Sequence, residues 1–178
     1  HIRSRRQRQM CIRDRYRNNK NLSDMENFSI NGNEVVFGTI GDASTSEGHF
    51  WEAINACGVL QVPLIMSIWD DGYGISVPSE YHTTRNDLSK ALSGFQRSSK
   101  KENGYEIFTV HAWDYINLLK TYQKAEELAR EDHVPCIIHV KDVTQPQGHT
   151  TSGSHERYKS KERLNWEKDF CCIKRMRE

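Results

Sequence analysis

The sequence has few of the features that mark secreted, membrane or zinc-scaffold proteins. Only five of its 178 residues are cysteines, and none of them has a C-x-x-C partner. An odd number of unpaired cysteines predicts neither a disulfide framework nor a cysteine zinc site. No apolar run approaches the ~20 residues that cross a bilayer, and no charged start followed by an apolar segment indicates export. We therefore expect a cytoplasmic protein with free thiols.

An excess of charge of either sign is also missing. The chain has 25 basic and 24 acidic side chains, for a formal net charge of +1. Such a balance predicts no general attraction to nucleic acid or to an anionic membrane. The length and the hydrophobic content of 36% fit a soluble domain, or part of one, with a core of its own.

The first fifteen residues, HIRSRRQRQMCIRDR, differ from the rest of the chain. They are rich in arginine and have no apolar periodicity. They could be a solvated basic extension, but the string RQRQMCIRDR resembles translated sequencing-adapter read-through. We predict that residues 1–15 are a non-native basic extension. Residues 16–178 are then predicted to form one partial domain.

Apolar segments alternate with helical patterns along the rest of the chain. Residues 34–40 and 62–69 are short, nearly continuous apolar runs, as expected of buried parallel strands. Between them, the spacing of Ser44 and Glu47 predicts a capping box. Phe50, Ile54 and Cys57 then recur on one helical face. Together these segments predict a βαβ unit.

Two more strand and helix patterns follow. Residues 105–110 and 134–140 predict further strands, a short helix is predicted after Asn86 as its cap, and residues 164–178 resemble a helix. Strands that alternate with helices favour an α/β fold with a doubly wound, mainly parallel sheet. The core stripe of the helix between the last two strands is predicted at Tyr115, Leu118, Leu119, Tyr122 and Ala125.

Acidic residues follow both strands of the βαβ unit. Asp42 comes after the first strand, and Asp70 and Asp71 come after the second. Parallel strands end at the same edge of a sheet, so Asp42 and Asp71 should meet there, beside a helix start that favours phosphate. Two carboxylates beside a phosphate require a cation, and Mg²⁺ binds carboxylates together with phosphate oxygens. Asp70 is expected to face solvent or to cap a turn.

A family resemblance rests on these same residues. The stretch GDASTSEGHFWEAINACGVLQVPLIMSIWDDGYGIS resembles the thiamine diphosphate signature, in which GDG is followed about thirty residues later by Asn. With GHTTSGSHERY further on, residues from about 16 to 178 resemble the α-type half of the first, decarboxylating component of 2-oxo acid dehydrogenase complexes. The nearest likeness is to the bacterial 2-oxoisovalerate type with fused halves. The resemblance implies a thiamine diphosphate-binding fold, of which this chain is a partial domain.

The resemblance also implies a role for individual residues. Asp71 stands where the family commonly has Asn, and Ala43 where it has Gly, so the site would carry extra negative charge and a slightly narrower approach to the backbone. His149 matches the loop histidine that faces the cofactor, and His155 is a second catalytic candidate. The implied Mg²⁺ ligands are Asp42, Asp71 and the carbonyl of Tyr73, and the implied cofactor contacts are Gly41, Asp42, Ala43, Ser44, Asp71, Tyr73, Ile75 and His149.

The function that the resemblance implies is oxidative decarboxylation of a 2-oxo acid, branched-chain or pyruvate, with acyl transfer to a lipoyl group. Its implied partners are a β-type half, a lipoyl-bearing acyltransferase and the small 2-oxo acid, in an oligomer without nucleic acid or membrane. A non-catalytic subunit interaction module with the same fold is one alternative. Another thiamine diphosphate enzyme, such as a transketolase or acetolactate synthase relative, is a second.

Overall fold

A four-stranded parallel sheet forms the centre of the molecule. The computed structural model describes residues 33–149 and 154–178, so the predicted extension at residues 1–15 lies outside the described residues. The sheet order is β1-β2-β6-β5, with every neighbouring pair parallel. Its strands are β1 (Val36–Gly41), β2 (Leu64–Trp69), β5 (Glu106–His111) and β6 (Cys136–Lys141).

Helices and a small hairpin complete the described fold. The antiparallel pair β3 and β4 follows β2 directly. No helix among the described residues is long and apolar enough to cross a membrane. These elements are α1 (Gly48–Leu60), β3 (Tyr73–Gly74), β4 (Val77–Pro78), α2 (Leu88–Ala91), α3 (Tyr115–Glu131), α4 (Lys161–Asp169) and α5 (Cys172–Arg177).

Two apolar clusters cover the two faces of the sheet. On one face, Ile54 of α1 packs with Ile68 and Tyr105, and on the other, Ala125 of α3 packs with Ile138. The central strand β6 has its first five residues buried, as expected when a strand is covered on both faces. The prediction of a doubly wound, mainly parallel α/β fold is confirmed.

Several local predictions were wrong. Helix α1 begins at Gly48 with Glu47 as its N-cap and no side-chain cap, because Ser44 lies inside a preceding 3-10 turn. The cap of α2 is Asp87, whose side chain accepts from the backbone N–H of Lys90, and not Asn86. The predicted C-terminal helix is two helices, α4 and α5, with a break between them.

The predicted core stripe of α3 was wrong in part. Tyr115 is 43% exposed and Leu119 is 52% exposed. Leu118 and Tyr122 pack against the second core cluster, and Ala125 is fully buried within it. The helix therefore contacts the sheet mainly after its first turn.

Cys136 should resist thiol reagents in the folded protein. It is fully buried in β6, and burial, followed by the negative charge of Glu106, raises the pKa of its thiol to about 12. Because the thiolate is the reactive form, we expect iodoacetamide to label the half-buried Cys171 and Cys172 well before Cys136. Peptide mass spectrometry of a labelling time course measures the order, with urea-unfolded protein as the control. Equal rates for Cys136 and Cys171 in the native protein would contradict this account.

Candidate functional site

The site lies at the carboxyl edge of the sheet, where β1 and β2 end side by side. Gly41 of β1 pairs with Trp69 of β2, and the Asp42 N–H donates to the Trp69 carbonyl at 3.0 Å. The register therefore places Asp42 next to the turn that begins at Asp70. The predicted convergence of the acidic residues follows from this pairing.

Asp42 is a buried carboxylate with an unsatisfied oxygen. Its side chain precedes the 3-10 turn Ala43–Ser46 and makes no capping hydrogen bond, and its Oδ2 has no partner. Burial raises the pKa of Asp42 to about 7, with the negative charges of Asp70 and Asp71 adding to the effect. A nearby cation would stabilise the charged form of a buried carboxylate in this state.

Asp71 is also buried but is partly compensated. Its Oδ1 accepts from the Tyr73 N–H at 3.2 Å, and its Oδ2 lies 3.2 Å from Nε2 of His149. The imidazole is within ion-pair distance of Oδ2, but Oδ2 accepts no hydrogen bond. Burial raises the pKa of Asp71, although His149 and the Tyr73 N–H act in the opposite direction.

Asp70 has a different environment, as a structural residue of the turn. Its Oδ1 accepts from the Gly72 N–H at 2.9 Å, and its Oδ2 lies 2.7 Å from Nε2 of His139. Burial opposes ionisation of Asp70, but the bond and charge of His139, the Gly72 N–H and the charge of Lys141 together lower its pKa. The prediction that Asp70 caps a turn is confirmed. It faces the buried His139, with 17% of its side chain exposed.

Small residues leave room along the first loop. A Cβ built on Gly41 would meet nothing within 4 Å, whereas one built on Gly74 would lie 2.8 Å from the Cβ of Ala43. Ser44 is exposed beside this contact. The loop after β1 thus presents open space at Gly41 and close packing at Ala43, which suits the approach of a ligand to the backbone at its open side.

The two candidate histidines lie on either side of residues 150–153, which are outside the described residues. His149 reaches Asp71, as described above. The ring of His155 packs on Gly148, where a Cβ would lie 2.5 Å from Nδ1, and that nitrogen is buried without a partner. Gly148 has a φ of +71°, so a side chain there would be both strained and obstructed.

Two predicted contacts have less support from the geometry. Ile75 is 62% exposed and has a φ of 59°. Tyr73 is half-buried, and its ring packs on Tyr158 with centroids 5.7 Å apart.

In the described part of the chain, no group of three or more His, Cys, Asp and Glu side chains could hold a metal. A cation at this site would depend on two carboxylates and a backbone carbonyl.

These residues fit a bound Mg²⁺–diphosphate group. The unsatisfied Oδ2 of Asp42 and the incompletely paired Oδ2 of Asp71 are hard oxygen ligands of the kind that Mg²⁺ prefers. Gly41 leaves the backbone accessible to a phosphate. The chemical nature of these groups is therefore compatible with the implied cofactor.

Sequence reasoning missed several charged residues behind the site. One of them is His139, for which the available signal is a histidine within an apolar strand, since a buried histidine needs a polar partner. The others are Lys159, Arg163 and Glu167, for which the available signal is an Arg followed four residues later by a Glu, a spacing that predicts a helical ion pair. The structure brings these three together beside Asp71, with Arg163 donating to the Asp71 carbonyl at 2.8 Å.

Comparison with known proteins gives a consistent result. The family model described as "Dehydrogenase E1 component" matches residues 25–178. The pyruvate dehydrogenase E1 component subunit alpha of Rickettsia bellii is 26% identical over 137 residues, which are 77% of this chain and 39% of the relative. The mitochondrial 2-oxoisovalerate dehydrogenase subunit alpha of Mus musculus is 25% identical over 150 residues, which are 83% and 32% of the two chains.

A third relative has a similar degree of likeness. The 3-methyl-2-oxobutanoate dehydrogenase subunit alpha of Mycobacterium tuberculosis is 25% identical over 137 residues, which are 76% of this chain and 35% of the relative. The chain thus spans about a third of the length of the curated relatives that it matches.

Proposed function

We propose that this chain, which belongs to the dehydrogenase E1 component family, supplies the Mg²⁺–diphosphate half of a thiamine diphosphate site. The parent enzyme would decarboxylate a 2-oxo acid, branched-chain or pyruvate, and pass the acyl group to a lipoyl group. One observation carries the proposal. Asp42 has a buried, unsatisfied carboxylate oxygen at the sheet edge where Asp71 also lies.

Each residue of the site has a role in this proposal. Asp42, Asp71 and the carbonyl of Tyr73 would hold the Mg²⁺, and Gly41, Ala43 and Ser44 would provide the backbone approach for the diphosphate. Thiamine diphosphate, when bound, supplies the carbanion chemistry that a protein side chain cannot. Ile75 would contact the cofactor from its exposed position.

The histidines would handle protons at the same edge. His149 stands 3.2 Å from the Asp71 carboxylate, so that carboxylate can hold the imidazole at this edge of the sheet. His155, with its unpaired Nδ1, would be the second proton-handling group. A β-type half would complete the cofactor site, and a lipoyl-bearing acyltransferase would accept the acyl group. We propose a cytoplasmic location and an oligomer for the parent protein.

Isothermal titration tests the diphosphate site. Thiamine diphosphate is titrated into the chain with Mg²⁺ and again with EDTA, and we expect binding heat only with Mg²⁺. Asp42→Ala should weaken binding by about a hundredfold or more, since even changes behind a metal ligand cost about 10–100-fold. Asp132→Asn, which removes an exposed carboxylate after α3, is the matched control and should bind normally.

Two results would count against the proposal. Binding that is equal with Mg²⁺ and EDTA would rule out a metal-bridged diphosphate. An absence of heat both for the chain and for the chain with an added β-type half would favour the non-catalytic interaction module instead.

A further inference from the structure

A buried ion cluster joins helix α4 to the loop that carries Asp71. From its geometry we infer that Arg163 is a positioning residue, which holds the backbone of residues 71–73 in the conformation that a bound cation would need. The claim that this conformation serves cation binding rests on the proposed function. The arrangement itself depends only on contacts within this chain.

The guanidinium of Arg163 bridges two elements. Its Nε donates to Oε1 of Glu167 at 2.8 Å, one turn along α4, and its Nη2 donates to the carbonyl of Asp71 at 2.8 Å. The planar fork of a guanidinium allows two such bonds in fixed directions. The Asp71 backbone is therefore bonded to an anchored side chain.

A second cation fixes the anchor. The ammonium of Lys159 donates to the same Oε1 of Glu167 at 2.8 Å, and the side chains of Lys159 and Glu167 are both fully buried. The Lys159 N–H also donates to the carbonyl of His155 at 2.9 Å. The turn with the second candidate histidine and the loop with Asp71 are thus connected through one carboxylate.

The ring of Tyr73 lies against the same cluster. It is 5.1 Å from Nζ of Lys159 and 5.8 Å from Cζ of Arg163, measured to the ring centroid. Cations at these distances are attracted to an aromatic face. Both ends of the segment 71–73 therefore contact the cluster, Asp71 through its carbonyl and Tyr73 through its ring.

Hydrogen exchange of the metal-free chain tests this arrangement. The Gly72 and Tyr73 amides are bonded to the carboxylates of Asp70 and Asp71, so their exchange reports on the order of the loop. With a chelator present, Arg163→Gln should accelerate exchange in the peptide of residues 71–75 by about tenfold, the effect of losing one hydrogen bond to a charged group. Arg163→Lys, which retains the charge without the fork, should give a smaller increase.

The controls separate a local effect from a global one. Lys168→Gln removes an exposed positive charge from the same helix and should leave the loop unchanged, while peptides from β2 and β6 should exchange at the wild-type rate in every variant. Wild-type exchange of residues 71–75 in Arg163→Gln would overturn the inference. So would an increase of equal size in the loop and in the sheet. If Arg163→Gln does not fold, Arg163→Lys decides through the same amides.

A titration with Mn²⁺ separates this inference from the proposed function. We expect Arg163→Gln to show faster loop exchange and, in the presence of thiamine diphosphate, Mn²⁺ binding that is about tenfold weaker than that of the wild type. Faster exchange without any binding by the wild type, either alone or with an added β-type half, would support the positioning role and contradict the diphosphate site. Binding by the wild type that is unchanged in Arg163→Gln would contradict the positioning role alone.

Discussion

Replacing Glu167 with Leu should lower the free energy of unfolding by about 3–5 kcal/mol, the cost of leaving a buried charge without its partner. Glu167 accepts from both Lys159 and Arg163 at 2.8 Å, and it is fully buried. Without its carboxylate, the fully buried ammonium of Lys159 has lost that ion pair. Urea denaturation followed by circular dichroism measures the loss.

Removing Lys159 in place of Glu167 should lower the free energy of unfolding by less. In Lys159→Met the carboxylate of Glu167 still accepts a hydrogen bond from Arg163, so no buried charge is left without a partner. The side chain of Arg163 is 27% exposed, so water can also hydrate its guanidinium. Glu131→Gln, an exposed carboxylate at the end of α3, should stay within about 0.5 kcal/mol of the wild type. The account fails if Glu167→Leu is no more destabilising than Glu131→Gln, or if Lys159→Met is the worse of the two cluster variants.

The strands were predictable because their signal is local. Each of the four sheet strands is a nearly continuous apolar run, and each observed boundary lies within two residues of the predicted one. Once the strands and their parallel order are known, Asp42 and Asp71 must lie at one edge of the sheet. The candidate site therefore follows from topology without knowledge of any side-chain contact.

The error at the cap of α2 arose because two adjacent residues offered equivalent signals. Asn86 and Asp87 are both good caps, but Asn86 adopts a φ of 48° and accepts from the Ser79 hydroxyl. Asp87 is left to cap α2 and to pair with Lys141. Which of two adjacent caps is used depends on the tertiary contacts, and these are not written in the local sequence.

The buried charges could not be placed from the sequence for a related reason. Lys159 and Glu167 are eight residues apart, and their bond requires the turn before α4 to fold back on the helix. The contact between Arg163 and Asp71 spans 92 positions. Periodicity predicts which face of a helix is apolar, but it does not predict which distant carbonyl a side chain on that helix will reach.

The metal-free chain should become more stable as the pH falls from 8 to 5.5, and Asp42 should account for much of the change. Burial, followed by the charges of Asp70 and Asp71, raises the pKa of Asp42 from 3.8 to about 7 in the folded state. The folded state therefore binds a proton that the unfolded state lacks between these two values. As the pH falls below about 7, the free energy of unfolding rises by up to about 1.4 kcal/mol per pH unit. The rise levels off near the pKa of Asp42 in the unfolded state.

The comparison with Asp42→Asn isolates this contribution from the titration of the histidines. Both proteins are unfolded with urea at pH 8 and pH 5.5 in the presence of EDTA. The variant should be the more stable of the two at pH 8, since it carries no negative charge at the buried position 42. Asp71, whose pKa is also raised by burial, interacts with Asp42, so the difference in slope reports the titration of Asp42 together with its effect on Asp71. Identical slopes in the two proteins would show that Asp42 is not held at a raised pKa. The series is then repeated with saturating Mg²⁺. The difference in the free energy of unfolding between pH 8 and pH 5.5 should become smaller for the wild type and stay the same for Asp42→Asn, because a cation beside Asp42 removes the electrostatic penalty of its charged form.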